Sequence, residues 1–347
     1  MKNEKIKFAL FADLHYKENL YLVSVSDMDK ILKRASESCV DFIIHAGDFS
    51  NDYAGSPEIT SRYLKNSYGL PAYGIYGNHE MEGVGNCMQS VTPLLNNREV
   101  VWGTRDEKIG DGSIAYFYFD VNGFRIVCTD TNYSYNEDKG EWQHNPPLSW
   151  GAPAENIKEN SLAPTQIKWL ENVLNDAADK NISCIIFSHE SFSGVWSDSP
   201  DGETVRQLFR NANQRKKGTV LMAINGHLHT NHAKVIDGVL YFDVNTVKNG
   251  YWAPSKKHYG DLAAEIINYD EQGDEIGKTM TLLNDLRQGS NTWFFDEPLS
   301  AIVTVSKSGE IEIEGAQTSW VGGIVPEVSN TSGTEPQISD VQVKLPI

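Results

Sequence analysis

The sequence predicts an α/β fold, and two observations carry that expectation. Short, continuous apolar runs of the kind expected for buried parallel strands lie at residues 6–12, 42–46, 72–76, 184–187 and 220–224. Between the early runs lie segments with helical periodicity. Residues 26–38 place Met28, Ile31, Leu32 and Ala35 on one helix face, joining the first strand to the second as a right-handed crossover would. Residues 58–68 do the same before the third strand.

The later elements follow from local signals. Runs at 114–120 and 124–129 flank Val121-Asn122-Gly123, a strong hairpin signature. Residues 164–178 place Ile167, Leu170, Val173 and Leu174 on one helix face. A second hairpin is expected over 234–247, turning at Asp237-Gly238, and a further strand over 263–269. Residues 132–163 break the rhythm with Asn, Glu, Gly, the pair Pro146-Pro147 and the aromatics Trp142, His144 and Trp150. Segments this long without structure of their own are usually functional or disordered, so an insertion over a crevice is expected. From Trp293 onward short β-like runs surround Ser308-Gly309, and residues 326–347 form a polar tail ending in a short strand. The expected division is a main domain over 1–290, a β extension packed on it over 291–325, and the tail.

Composition narrows the function. The chain has 347 residues, 40% hydrophobic and 22% charged, as in an ordinary soluble globular protein. Lys and Arg total 30 against 47 Asp and Glu, a formal charge of -17. That balance excludes nucleic-acid polymers and anionic membrane surfaces as expected partners, since both are held through Lys and Arg. No apolar stretch approaches the ~20 residues of a membrane helix, so no membrane insertion is expected. Met1-Lys2-Asn3-Glu4-Lys5 leads directly into the first strand without the apolar core of a secretory signal, so a cytoplasmic setting is expected, with a secreted or periplasmic one as the alternative if a signal peptide has been removed. Cys39, Cys87, Cys128 and Cys184 show no paired metal spacing; Cys128 and Cys184 lie in apolar strands as small buried thiols.

Each of the five apolar runs ends in a polar cluster. These are Asp13-Leu14-His15, Gly47-Asp48, Gly77-Asn78-His79-Glu80, Ser188-His189-Glu190 and Gly226-His227-Leu228-His229. In an open α/β sheet the loops leaving the carboxyl ends of the strands line one crevice, so residues from 13 to 229 can meet. Neutral imidazole, carboxylate and amide oxygen together suit borderline or hard divalent metals. Glu80 and Glu190 are expected to orient loops, and His45, inside an apolar strand, to be a satisfied core residue.

The five blocks, in order and unbroken, resemble the calcineurin-like metallophosphoesterases, whose pattern is Asp-x-His, Gly-Asp, Gly-Asn-His-Asp/Glu, His and Gly-His-x-His. The resemblance covers about residues 6–269. It implies a four-layer αββα fold of two packed mixed β-sheets flanked by helices, here with an extra C-terminal β segment. It implies that Asp13, His15, Asp48 and His229 hold one divalent metal and Asp48, Asn78, His189 and His227 a second, with Asp48 bridging. Mn, Zn or Fe would serve, Mn foremost. The related purple acid phosphatases carry a metal-binding Tyr three residues after the second-block Asp; here that position is Asn51, so a ferric tyrosinate is not expected.

By the same resemblance, the reaction is hydrolysis of a phosphoester by in-line attack of a metal-bridging hydroxide. His79 assists at the leaving group, and Asn78 and His79 contact the substrate. Trp142 and His144 are further candidate substrate contacts. The motifs bring no Arg that would clamp a dianionic monoester. A small-molecule phosphodiester is therefore the expected substrate. A phosphomonoester is the alternative, and a non-catalytic metal-binding interaction module a more distant one.

Overall fold

The computed structural model turns the first apolar run into strand β1 (Lys5–Phe11). Helix α1 (Val25–Glu37), β2 (Phe42–His45), α2 (Ser56–Leu64) and β3 (Ala72–Gly74) follow. The structure describes residues 4–16, 23–50, 56–81, 99–104, 115–144, 161–195, 199–252, 267–269, 275–278, 292–323 and 335–347. Strands β1, β2 and β3 are parallel, so both helices are crossovers. Helix α1 buries Met28, Ile31, Leu32 and Ala35, the residues its spacing singled out. A capping box closes its start, with the Ser24 N–H donating to Asp27 Oδ2 at 2.8 Å.

The chain then builds a second sheet from β4 (Val101–Trp102), β5 (Phe117–Val121) and β6 (Phe124–Cys128). A separate hairpin, β7 (Tyr133–Asn136) and β8 (Glu141–His144), comes next. It occupies part of the expected insertion, while Pro146-Pro147 and Trp150 lie outside the described residues. Helix α3 (Pro164–Lys180), β9 (Ser183–Phe187), α4 (Gly202–Arg215), β10 (Val220–Asn225), β11 (His232–Ile236) and β12 (Val239–Asp243) complete this half. The seven-stranded order is β11-β12-β10-β9-β6-β5-β4, with β6, β9, β10 and β12 parallel. Of the strand expected over 263–269, Ile267–Tyr269 is described, paired with Glu275–Lys278.

The last strands return to the first sheet. They are β13 (Ala301–Ser306), β14 (Glu310–Glu314) and β15 (Val341–Lys344), giving the order β15-β14-β13-β1-β2-β3. Strand β13 runs antiparallel along β1 from Lys5 opposite Ser306 to Leu10 opposite Ala301. The segment expected as an extension supplies two of the six strands, β13 and β14, and the expected tail supplies a third, β15, so half of this sheet comes from beyond residue 290.

Side-chain alternation along β1 shows how the layers stack. Phe8 meets Phe187 of the second sheet, ring centroids 5.9 Å apart, whereas Phe11 turns the other way to Tyr63 of α2 at 5.5 Å. The far face of the second sheet packs Cys184, Ile186, Val220 and Tyr241 against Leu170 and Val173 of α3 and Val205 and Phe209 of α4. The result is helix, sheet, sheet, helix. Helix α4 was not anticipated from the sequence, because its buried apolar face is reduced to Val205, Phe209 and Ala212. Cys87, Trp196, Lys256, Lys257 and His258 lie outside the described residues. Among the described residues, no helix is long and apolar enough to cross a membrane.

Candidate metal centre

All five polar clusters emerge at the carboxyl ends of parallel strands, and backbone hydrogen bonds lock them together. The Asp13 N–H donates to Gly47 O at 3.0 Å and the His15 N–H to Asp48 O at 2.9 Å. The Thr246 hydroxyl, just beyond β12, donates to Asp13 O at 2.7 Å. Asp13, His15, Asp48, His227 and His229 all sit at positive φ, between 48° and 68°. Non-glycine residues visit this left-handed region sparingly. Gly77 is required for a different reason: a Cβ there would lie 2.1 Å from Asp48 Oδ1 and 2.7 Å from His189 Nε2.

The side chains converge on Asp48. Its Oδ1 accepts the His79 backbone N–H at 2.9 Å. Its Oδ2 faces three imidazoles, with Nε2 of His189 at 3.1 Å, of His15 at 3.7 Å and of His79 at 3.9 Å. Asn78 Oδ1 lies 3.1 Å from His189 Nε2 and 3.0 Å from His227 Nδ1. On the other side, His15 Nε2 and His229 Nε2 approach to 2.9 Å, and His229 Nε2 lies 3.4 Å from Asp13 Oδ1. Three groups of potential metal ligands result: Asp13, His15 and His229; Asp48, His189 and His227; and His15, Asp48 and His79. Within each group the ligand atoms lie within 4.8 Å of one another.

The donor chemistry fits divalent cations. His189 donates its Nδ1–H to Ala46 O at 2.9 Å, which leaves Nε2 facing the oxygens of Asp48 and Asn78. That is how a ligating histidine is held in one tautomer. Carboxylate and amide oxygens meet ring nitrogens in buried surroundings, an arrangement that a cation stabilises and an empty space does not.

A family model of the calcineurin-like phosphoesterases matches residues 6–231. The chain belongs to that family. The matched span ends short of the residue 269 expected from the motifs. One solved structure supports the same fold. A dimetal phosphatase from Danio rerio aligns with a TM-score of 0.54 at 14% identity, covering 98% of this chain and 99% of that one. GAP50, the anchor in the inner membrane complex of Plasmodium, aligns with a TM-score of 0.46 at 12% identity, over 99% of this chain and 90% of that one. Comparison with curated protein sequences gave no match.

In this calcineurin-like phosphoesterase, Glu80 does more than its place in the motif suggested. Its Oε2 accepts the backbone N–H groups of Asp48 at 2.9 Å and Gly77 at 2.7 Å, and its Oε1 accepts that of Ser50 at 3.0 Å. One buried carboxylate therefore ties the second block to the third. His144 and Trp142 are not part of the groups around Asp48. The His144 ring nitrogen Nε2 meets Asp130 Oδ2 at 2.7 Å, and Trp142 stands 5.7 Å, ring to ring, from Tyr135. His45 differs from the satisfied core histidine expected. Its Nδ1 accepts the Gly47 N–H at 3.3 Å, but Nε2 is buried with no hydrogen-bond partner among the described residues. Asp130 escaped the sequence reading altogether, although it follows β6 as Asp13 follows β1.

Burial and neighbouring charge split the titrating groups. Burial, then the charge of His79, pushes His15 down to about 3; burial pushes His45 down to about 3 and His227 to about 4. Burial opposes charge on His189, yet Asp48 and Asp13 lift it to about 10. Burial works against Asp13 and Asp48 as anions, but the imidazoles of His229 and His189 hold both below the usual carboxylate range. Burial, then the charge of Asp48, raises Glu80 to about 8.

These shifts set an acid limit. His15, His45 and His227 bind protons more weakly folded than unfolded, where the usual value is ~6.5. Their contribution to stability is complete above that value and is lost as pH falls toward 4. Each such histidine contributes a slope of up to about 1.4 kcal/mol per pH unit. Glu80 acts in the opposite sense between its ordinary value and 8, and Asp201 and Asp243, also raised by burial, act in that sense above the ordinary carboxylate value; the three histidines set the slope nearer pH 6.5. With a chelator present, urea midpoints are expected to drop steadily from pH 6.5 to pH 4.5. A flat profile would show that these imidazoles are solvated.

Proposed function

We propose that the protein is a dinuclear-metal hydrolase of small phosphodiesters. Asp13, His15, Asp48 and His229 would hold one cation, and Asp48, Asn78, His189 and His227 the other. Two bound divalent cations lower the pKa of water and absorb charge developing on a phosphoryl group. The observation that supports this reading best is the position of Asp48 Oδ2 between His15 of one ligand group and His189 of the other. Its second oxygen is held by the His79 N–H, which fixes the carboxylate in an orientation that would let both groups share it.

His79 supplies the proton chemistry. It is 7% exposed, with its ring edge-to-face against His15 at 4.6 Å. An imidazole so placed can protonate the departing oxygen. His79→Asn is expected to lower turnover roughly tenfold or more while metal content stays near that of the wild type. Loss of metal along with activity would remove that role.

The preference for a diester is supported by where the arginines are. Among the described residues all six pair elsewhere: Arg34 with Ser300 O, Arg62 with Asp29, Arg125 with Asp120 and Asp176, Arg206 with Glu203, Arg210 with Asp237 and Arg215 with Asp179. None stands ready to clamp the second negative charge of a monoester. The deciding experiment measures initial rates on bis-p-nitrophenyl phosphate and p-nitrophenyl phosphate side by side, with Mn present and after chelation. Faster turnover of the diester, lost on chelation, is expected. Faster turnover of the monoester would make the protein a phosphatase, and full activity after thorough chelation would overturn the metal-dependent reading.

A further inference from the structure

A second buried polar network reaches the crevice without a part in the proposed chemistry. Strands β6 and β9 run parallel with Cys128 opposite Phe187. The segment leaving β6 therefore emerges beside the one that carries His189. Asp130 lies in that segment and is fully buried. Its Oδ1 accepts the Asn132 backbone N–H at 3.0 Å and the Asn132 side-chain N–H at 2.8 Å. Its Oδ2 meets His144 Nε2 at 2.7 Å, and because a carboxylate oxygen accepts, the imidazole donates. Gln166 of α3 grips the same residue through its backbone. The Asp130 N–H donates to Gln166 Oε1 at 2.8 Å, and Gln166 Nε2 donates to Asp130 O at 2.7 Å.

Two contacts turn this network into a connection between elements. His144 is the last residue of β8, and its ring stacks on Tyr133 of β7 at 4.4 Å and 23°. Asn132 also donates from Nδ2 to Tyr76 O at 3.4 Å, immediately before the Gly77-Asn78-His79 turn. A two-stranded hairpin alone is marginal in water, so the place of β7–β8 depends on its ties: Tyr133 at its start exchanges backbone hydrogen bonds of 3.2 and 2.7 Å with Ser161, and His144 at its end is held by Asp130. A fully satisfied buried polar network is a rigid tie.

We propose that Asp130 and His144 are positioning residues. Their hydrogen bond holds hairpin β7–β8 against the turn bearing His79, and the hairpin forms a fixed wall for the part of the substrate remote from phosphorus. This rests on the phosphoester-hydrolysing reading of the metal centre. His144 acts through Asp130 and not on the reacting atoms.

The test compares the Mn-loaded wild type with His144→Ala, His144→Gln and Asp130→Asn. It measures kcat and KM on bis-p-nitrophenyl phosphate, metal content, and amide hydrogen exchange over residues 133–144. His144→Ala is expected to speed exchange across the hairpin and raise KM roughly tenfold, with kcat changed by less than about threefold and metal retained. His144→Gln keeps an N–H at similar reach and should recover most of the loss. Should His144→Ala not fold, Asp130→Asn is expected to give the same pattern, since it places an amide where the imidazole needs an acceptor. Unchanged exchange and unchanged KM would overturn the proposal. So would a collapse of kcat at constant KM without rescue by Gln, which would place His144 on the reacting atoms. If the wild type hydrolyses neither ester, the phosphoester reading fails, while exchange and metal content still decide whether Asp130–His144 holds the hairpin.

Discussion

Asp48→Asn is expected to abolish hydrolysis and to release metal from both halves of the site at once. The substitution keeps the shape of the side chain, so the effect is one of charge and hydrogen-bond polarity. Asp48 Oδ2 lies within 3.9 Å of ring nitrogens from His189, His15 and His79, and its Oδ1 already accepts the His79 N–H. An amide in this position either turns its NH2 toward ring nitrogens that must present lone pairs, or faces the His79 N–H with another donor. It also removes the anionic charge that would balance two neighbouring cations. A loss of roughly a thousandfold in rate, about 4 kcal/mol, is expected. Initial rates and metal analysis on the same sample decide the matter. A variant that keeps both metals and more than a tenth of the rate would show that Asp48 does not bridge them.

Gly77→Ala is expected to act nearly as strongly without touching a ligand. The added methyl would lie 2.1 Å from Asp48 Oδ1, 2.5 Å from Asp48 N and 2.7 Å from His189 Nε2. None of these atoms is the free end of a flexible chain. Asp48 is held by His79 and Glu80, and His189 by Ala46. The overpacking should cost about 1–3 kcal/mol of stability. A displacement near 1 Å of the Asp48 carboxylate should lower turnover on the order of a hundredfold. Melting temperature and turnover measured together separate the two effects. Wild-type turnover in Gly77→Ala would mean that the turn yields where the structure holds it tight.

The convergence of the candidate site was legible in the sequence because each of the five strands that carry it is a short apolar run with its own polar cluster at the end. The strand ends are also where the sheets bring residues together, so Asp13 and His229 could be placed in one crevice. Glu80 was noticed, but its role as acceptor for Asp48, Ser50 and Gly77 depends on two loops meeting, which no local pattern announces. The pairing of β13 with β1 was hidden for the same reason, since its two strands lie at opposite ends of the chain. Asp130 carried the right signal, a carboxylate just past a strand, but without a Gly or His beside it that signal is too common to single out. Helix α4 was hidden by composition: a narrow apolar stripe among Arg, Asn and Gln reads as a polar segment until the second sheet is there to receive it.

The left-handed backbone at Asp13, His15, Asp48, His227 and His229 sets this protein's stability against its use. Each such residue forgoes on the order of 1 kcal/mol that a glycine at the same position would keep. Selection for thermal robustness alone would therefore drift toward glycine at these very positions, and every such gain would erase a side chain assigned to the proposed centre. Efforts to make a hardier and still active version belong elsewhere, on the outer helices and the distant strands of the first sheet. The crevice is where this fold gives up robustness in return for chemistry.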